Sequence, residues 1–229
     1  MAARAYWQGQ IRLALVSIPV QVFSATKTAA RVSFNQIHKP SGKRIRYEKV
    51  VPGVGAIDPD YFAARVFTEA LGGGMSSRLF QEARERLGLA YAIDAFAESY
   101  QDAGMIGVYA GCAAKDATAL AKVVASEFRK LADGVGVAEL ARAKAQLKAA
   151  LFMARESLSA RAEQAAAQLL VFGRLLTTQE IADAIDAVGA ADLARLAGRV
   201  LAPKLSAPAV LGPSRALAAA DVFHEAMFG

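Results

Sequence analysis

The sequence changes texture at about residue 56, and that break constrains the fold more than any other feature. Residues 1–56 hold nine basic side chains (Arg4, Arg12, Lys27, Arg31, Lys39, Lys43, Arg44, Arg46, Lys49) against the single acid Glu48, a net charge of +8. The whole chain of 229 residues carries only +6, so the rest sums to −2. The first part is rich in Val, Ile, Ser and Lys, whereas the second is dominated by Ala, Leu and helix-forming charges. Two textures imply two units, 1–56 and 57–229. With 55% hydrophobic residues, a chain of this length buries about 70% of its unfolded surface, which excludes disorder and collagen-like repeats. Cys112 is the sole cysteine, which excludes an intrachain disulfide framework and fits a reducing, cytoplasmic location. No apolar run reaches the roughly 18 residues that span a bilayer. Arg12, Pro19 and Gln21 interrupt the only stretch that faintly resembles a secretory signal.

In the basic quarter, residues 10–23 are short, β-branched and partly alternating, which predicts strands with an edge or bend at Pro19. Residues 32–38 predict a second strand, Lys39-Pro40-Ser41-Gly42 a turn, and Arg44–Val50 a third strand completing a hairpin. In that last strand Arg44, Arg46 and Glu48 alternate with Ile45, Tyr47 and Lys49. Such a face either meets a phosphate backbone or forms a solvated edge blunted by charge.

In the second unit, Phe62, Val66, Phe67, Ala70 and Leu71 recur at helical spacing and predict a helix from Tyr61 ended by Gly72-Gly73-Gly74. Ser76 or Ser77 is placed to cap a second helix that Gly88 stops. Strands are predicted at 89–96 and 105–110, helices at 116–132, about 138–172 (long enough to be bent or split) and 178–201, and a short closing strand at 208–213. The fold class expected is α+β, helices layered on a mixed or antiparallel sheet, with a short N-terminal β segment.

Consecutive glycines before a helix can aim N–H groups at an anion, but no Gly-x-x-x-x-Gly-Lys-Ser/Thr follows, and a tight helix-to-helix connection explains Gly72–Gly74 better. Ser76 and Ser77 sit in no nucleophile elbow. His38 and His224 lie in different textures without a metal-ligand partner, and Cys112 reads as a small buried filler.

Two resemblances add to this reading. Arg4-Ala5-x-Trp7-x-Gly9-x-Ile11, residues 15–20, Val32–Lys39 and Gly42–Tyr47 resemble the opening of bacterial Ku. That family threads double-stranded DNA ends through a homodimeric ring and recruits a ligase for non-homologous end joining. The resemblance covers about residues 1–56, an incomplete barrel, and implies Lys43, Arg44, Arg46 and Lys49 as DNA contacts. From Leu71-Gly-Gly-Gly-Met-Ser-Ser-Arg78 through Tyr91, then 102–111, Glu139–Lys148, Arg155-Glu156-Ser157 and Phe172-Gly173-Arg174, the chain resembles the C-terminal lobe of the pitrilysin and mitochondrial processing peptidase family. There two lobes close around an extended peptide, the first carrying zinc on His-x-x-Glu-His. That motif is absent here. The resemblance therefore implies a non-catalytic substrate-binding lobe that binds no cofactor itself, with zinc on a missing partner lobe. It matches Arg84 and Tyr91 to the family's Arg/Tyr pair; unaided, the same two residues read as a solvent-facing helix arginine and a half-buried strand tyrosine. The two resemblances meet in Val51–Asp60, where a fusion is expected, with the strand ending at Val51 docked on the edge of the lobe's sheet. The competing function is a truncated DNA-end-binding module acting with a DNA ligase.

Overall fold

The computed structural model describes residues 45–202 and 204–229. The predicted strands before residue 44, His38 and Lys43 lie outside them, as does Arg44. Strand β1 (Ile45–Gly53) is followed by helix α1 (Tyr61–Gly72), a π-helical segment (Phe80–Arg86), the hairpin β2 (Ala90–Ser99) and β3 (Gly104–Cys112), and α2 (Ala117–Asp133). Then come α3 (Val137–Ala154), α4 (Leu158–Phe172), α5 (Thr178–Ala187), α6 (Ala190–Leu201), β4 (Ala207–Leu211) and α7 (Ala219–Phe228). The four strands form one antiparallel sheet in the order β2-β3-β1-β4. None of the described helices is long and apolar enough to cross a membrane.

The helices form because their apolar residues fall on one stripe, and each stripe faces the sheet or another helix. In α1 the buried residues include Ala63, Val66, Phe67, Ala70 and Leu71; in α2 they include Leu120, Ala121, Val124, Phe128 and Leu131. Both follow the i, i+3, i+4 rule. The rings of Phe67 and Phe128 meet at 5.1 Å between centroids and join the two helices. Helix α1 packs on β2 and on α3, α6 lies against β1, and α7 packs on α2 and β4. The alternation in β3 completes the core: Ile106, Val108, Ala110 and Cys112 are buried beneath the helices.

The α+β class stands, with every strand pair antiparallel. Two expectations are corrected, the place of one strand and the single helix at 178–201. The strand expected at Arg44–Val50, described from Ile45 on, is neither a blunted edge nor docked on the sheet's edge. It lies inside the sheet, residues 46–50 pairing with β3 on one side and β4 on the other. Both of its hydrogen-bonding edges are thus taken there, and the expected partner strand at 32–38 lies outside the described residues. The long helical stretch at 138–172 is split, as its length allowed, with Ser157 capping the second half by accepting from the Ala160 N–H at 3.3 Å. The stretch at 178–201 also divides, at Val188-Gly189, and α7 was not anticipated.

Candidate functional site

Tyr91 is presented by an irregularity in the edge strand. In the β2–β3 ladder Ala90 pairs with Cys112 and Ala92 with Gly111, so Tyr91 is the extra residue of a β-bulge. A bulge re-aims a side chain that the regular pleat would hold elsewhere. The ring lies across Gly111: a Cβ built there would come 2.5 Å from Tyr91 Oη and 2.6 Å from Cε2. The residue nevertheless remains 50% exposed. Four residues back along β3, the Phe96 ring covers Gly107 in the same way, its Cε atoms 2.6 and 2.7 Å from where a Cβ would sit. These rings mark the sheet face turned away from the helices, shared with exposed Asp94 and Glu98 and half-buried Met105 and Tyr109.

Arg84 sits in the π-helical segment just before that strand. Its guanidinium lies 4.6 Å from the Phe80 ring centroid and 3.7 Å from Glu85, with the side chain 43% exposed. Such partners orient the group without burying it. The π-helical segment and β2 pack together, so the order Arg84, Gly88, Tyr91 becomes a helix end, a turn and a strand start. Gly88, at φ 61°, makes the turn.

Gly72–Gly74 form a connection, and none of the three has a positive φ. They are needed for close approach instead. A Cβ on Gly72 would stand 2.7 Å from the Ala95 N and Cβ atoms, and one on Gly74 2.8 Å from Gln146 Nε2. The segment is then locked by Arg78, whose guanidinium donates to both Glu139 carboxylate oxygens at 2.6 and 2.8 Å and to the Gly134 carbonyl at 2.9 Å. Burial pushes the Glu139 carboxyl up, but the Arg78 bonds outweigh it and hold the group below the usual range. The Ser77 hydroxyl, expected as a cap, is buried without a hydrogen-bond partner.

Sequence reasoning missed an acidic pair beside this connection. Glu69, in the last turn of α1, is shifted upward by burial and by the charge of Asp94 on β2; burial also raises Asp94. No motif marks them, because the pair exists only where the helix end meets the strand.

The described residues do not suit zinc. No three of His, Cys, Asp and Glu converge among them. Asp60 is committed to Arg195 and Arg199, His224 Nδ1 lies 3.0 Å from the Ser206 hydroxyl, and Cys112 is buried with its thiol pushed up to about 11 by desolvation. Of the proposed DNA contacts, Lys43 and Arg44 lie outside the described residues. Arg46 takes the register position opposite Gly111 and Leu211, and Lys49 that opposite Val108 and Pro208.

A family model described as the peptidase M16 inactive domain matches residues 18–147. The match begins inside the basic quarter and runs unbroken through residues 51–60, so it lends the Ku resemblance no support. An uncharacterized zinc protease of Rickettsia bellii is 37% identical over 143 residues, 62% of this chain and 34% of the relative. A probable mitochondrial-processing peptidase subunit beta of Arabidopsis thaliana is 33% identical over 169 residues, 70% of this chain and 32% of that one. The chain thus spans about a third of the length of these relatives. Among solved structures, a peptidase M16 inactive domain from Pseudomonas fluorescens matches with TM-score 0.65 at 19% identity, covering 81% of this chain and 48% of that chain. A chain of complex III2 from Candida albicans with Inz-5 bound matches with TM-score 0.76 at 21% identity, covering 84% and 48%. At such identities the structures speak for the fold alone.

Proposed function

Because this chain belongs to the family of the peptidase M16 inactive domain, we propose that it is the substrate-binding lobe of a zinc metallopeptidase of the mitochondrial processing peptidase type. The observation that carries the reading is the bulge in β2, which leaves half of Tyr91 exposed on the sheet face away from the helices. The partner lobe brings the metal and the water it activates. This chain's residues hold the peptide: the Tyr91 hydroxyl donates to the carbonyl oxygen as negative charge grows on it, and the Arg84 guanidinium holds a neighbouring carbonyl. The π-helical turn beneath Arg84 supports the assignment, since such turns recur at functional sites.

Mixing the chain with a separately made zinc-bearing lobe of a related peptidase tests this. The chain alone leaves an extended peptide intact, and the mixture cleaves it. In the mixture Tyr91→Phe lowers turnover by roughly 10²-fold, the scale of one lost oxyanion donor. Arg84→Ala raises KM as well, because its carbonyl partner exists before the transition state. Lobes that fold but never cleave together would sink the reading; cleavage that neither substitution touches would sink the residue roles.

A second reading, duplex DNA binding, rests on the net +8 of residues 1–56. It predicts weak binding that falls steeply with salt, through counterion release, and shows no preference for ends. Competition between linear and closed circular duplex checks this, and salt-independent binding would refute it.

A further inference from the structure

We propose that Gly111 is a positioning residue for Tyr91: its bare Cα is the seat on which the phenol head rests, and the bulge and the seat together fix the hydroxyl. The inference deepens the lobe reading above and rests on it for its catalytic consequence, but not for its geometry. Of the Tyr91 atoms, those closest to the missing Cβ are Cζ, Oη and Cε2, the hydroxyl end of the ring and not its attachment to the backbone. The bulge opposite Gly111 and Cys112 sets where the side chain starts, and Gly111 sets where it ends. A bulge alone sets where the side chain starts and not where its hydroxyl end lies. A seat without the bulge would face the side chain of an ordinary pleat position.

The three atoms nearest a Cβ at position 111 all belong to the Tyr91 phenol. The φ of Gly111 is not positive, so alanine fits the backbone. What alanine does not fit is the ring. Ordinary contact begins near 3.4 Å, so a Cβ 2.5 Å from Oη displaces the hydroxyl by about 1 Å. A displacement of that size at a transition-state donor costs up to about 10²-fold in rate. The neighbouring Gly107 provides an internal control. It lies on the same face of the same strand, is covered by Phe96 instead, and its substitution strains the sheet without touching Tyr91.

The test has two arms. In the chain alone, labelled at tyrosine, cross-relaxation is expected between the Tyr91 ring and the Gly111 α-protons, which the ring shifts upfield. Gly111→Ala moves the Tyr91 ring signals, and Gly107→Ala leaves them in place. Tyr91 signals that ignore Gly111→Ala, or that Gly107→Ala moves equally, overturn the seat. In the two-lobe mixture, Gly111→Ala lowers kcat about tenfold or more with KM little changed, and adds nothing on a Tyr91→Phe background. Additive losses overturn the positioning role even where Tyr91→Phe still confirms the hydroxyl. A mixture that never cleaves refutes the lobe function, and the spectroscopic arm still decides the seat.

Discussion

Asp60 shows how far a residue's role can depart from its place in the sequence. An aspartate directly before a helix is usually read as a cap, yet here its side chain makes no capping bond to α1. It is 1% exposed, and its carboxylate is held by Arg195 and Arg199 of α6, with Arg199 also bonding Asp58 at 2.8 and 3.0 Å. Two guanidiniums make burial of that acid tolerable, and they tie the start of α1 to the last helix before β4. Asp60→Ala should destabilise the fold by about 1–3 kcal/mol, at the low end because both arginines are about half exposed and screened. Urea midpoints would measure it. The Arg199 hydrogen bonds hold the Asp58 carboxyl below its ordinary range against a smaller upward push from burial. A carboxyl depressed in the folded state contributes stability that is complete above its unfolded pKa, near 4, and is lost as pH falls through the folded value. Glu180 acts in the same sense, drawn down to about 2 by the Thr177 N–H it caps and by Arg174. Through these two groups the midpoint should fall below about pH 5, opposed in part by Glu69 and Asp94, whose raised carboxyls favour the folded state as pH falls, and Asp58→Asn should lower the midpoint at neutral pH and flatten the acid limb. An unchanged acid limb in that variant would show that Asp58 does not contribute.

At the scale of elements, two glycines on helices make opposite predictions. Gly72 ends α1 against β2, where a Cβ would meet the Ala95 backbone 2.7 Å away, so Gly72→Ala should cost about 1–3 kcal/mol by pushing helix from strand. Gly198 is exposed in the middle of α6 with nothing within 4 Å of a Cβ, so Gly198→Ala should stabilise by about 0.5–1 kcal/mol. Thermal unfolding of both variants checks the pair, and shifts of the same sign would contradict the packing of α1 on β2. The spacing of Val66, Phe67, Ala70 and Leu71 marks α1 in the sequence without ambiguity. The split at 154–158 is less visible, because Ala and Leu run through it and only the Ser157 cap breaks the pattern. Helix α7 was missed for a related reason: its buried stripe is just Ala219, Phe223 and Met227, three residues in a ten-residue helix at the end of the chain.

For the whole molecule, the decisive fact is the position of β1 between β3 and β4. A strand in the interior of a sheet has its N–H and C=O groups paired on both sides, whereas an edge strand leaves one set to water. Amides of Tyr47, Lys49 and Val50 should accordingly exchange with solvent about as slowly as those of β3. Exchange as fast as in an isolated peptide would remove β1 from the sheet. The sequence by itself determined most of the local elements, since apolar periodicity, caps and glycines act over a few residues and are written there directly. It also carried the family motifs around Arg84 and Tyr91. Only the tertiary structure decided which strand pairs with which, that Arg46–Val50 belongs to the interior of the sheet, that Asp60 serves α6 instead of its own helix, and that Gly111 lies under Tyr91. Pairing, burial and close approach join residues distant along the chain, 135 positions apart for Asp60 and Arg195, and no local pattern encodes such a contact.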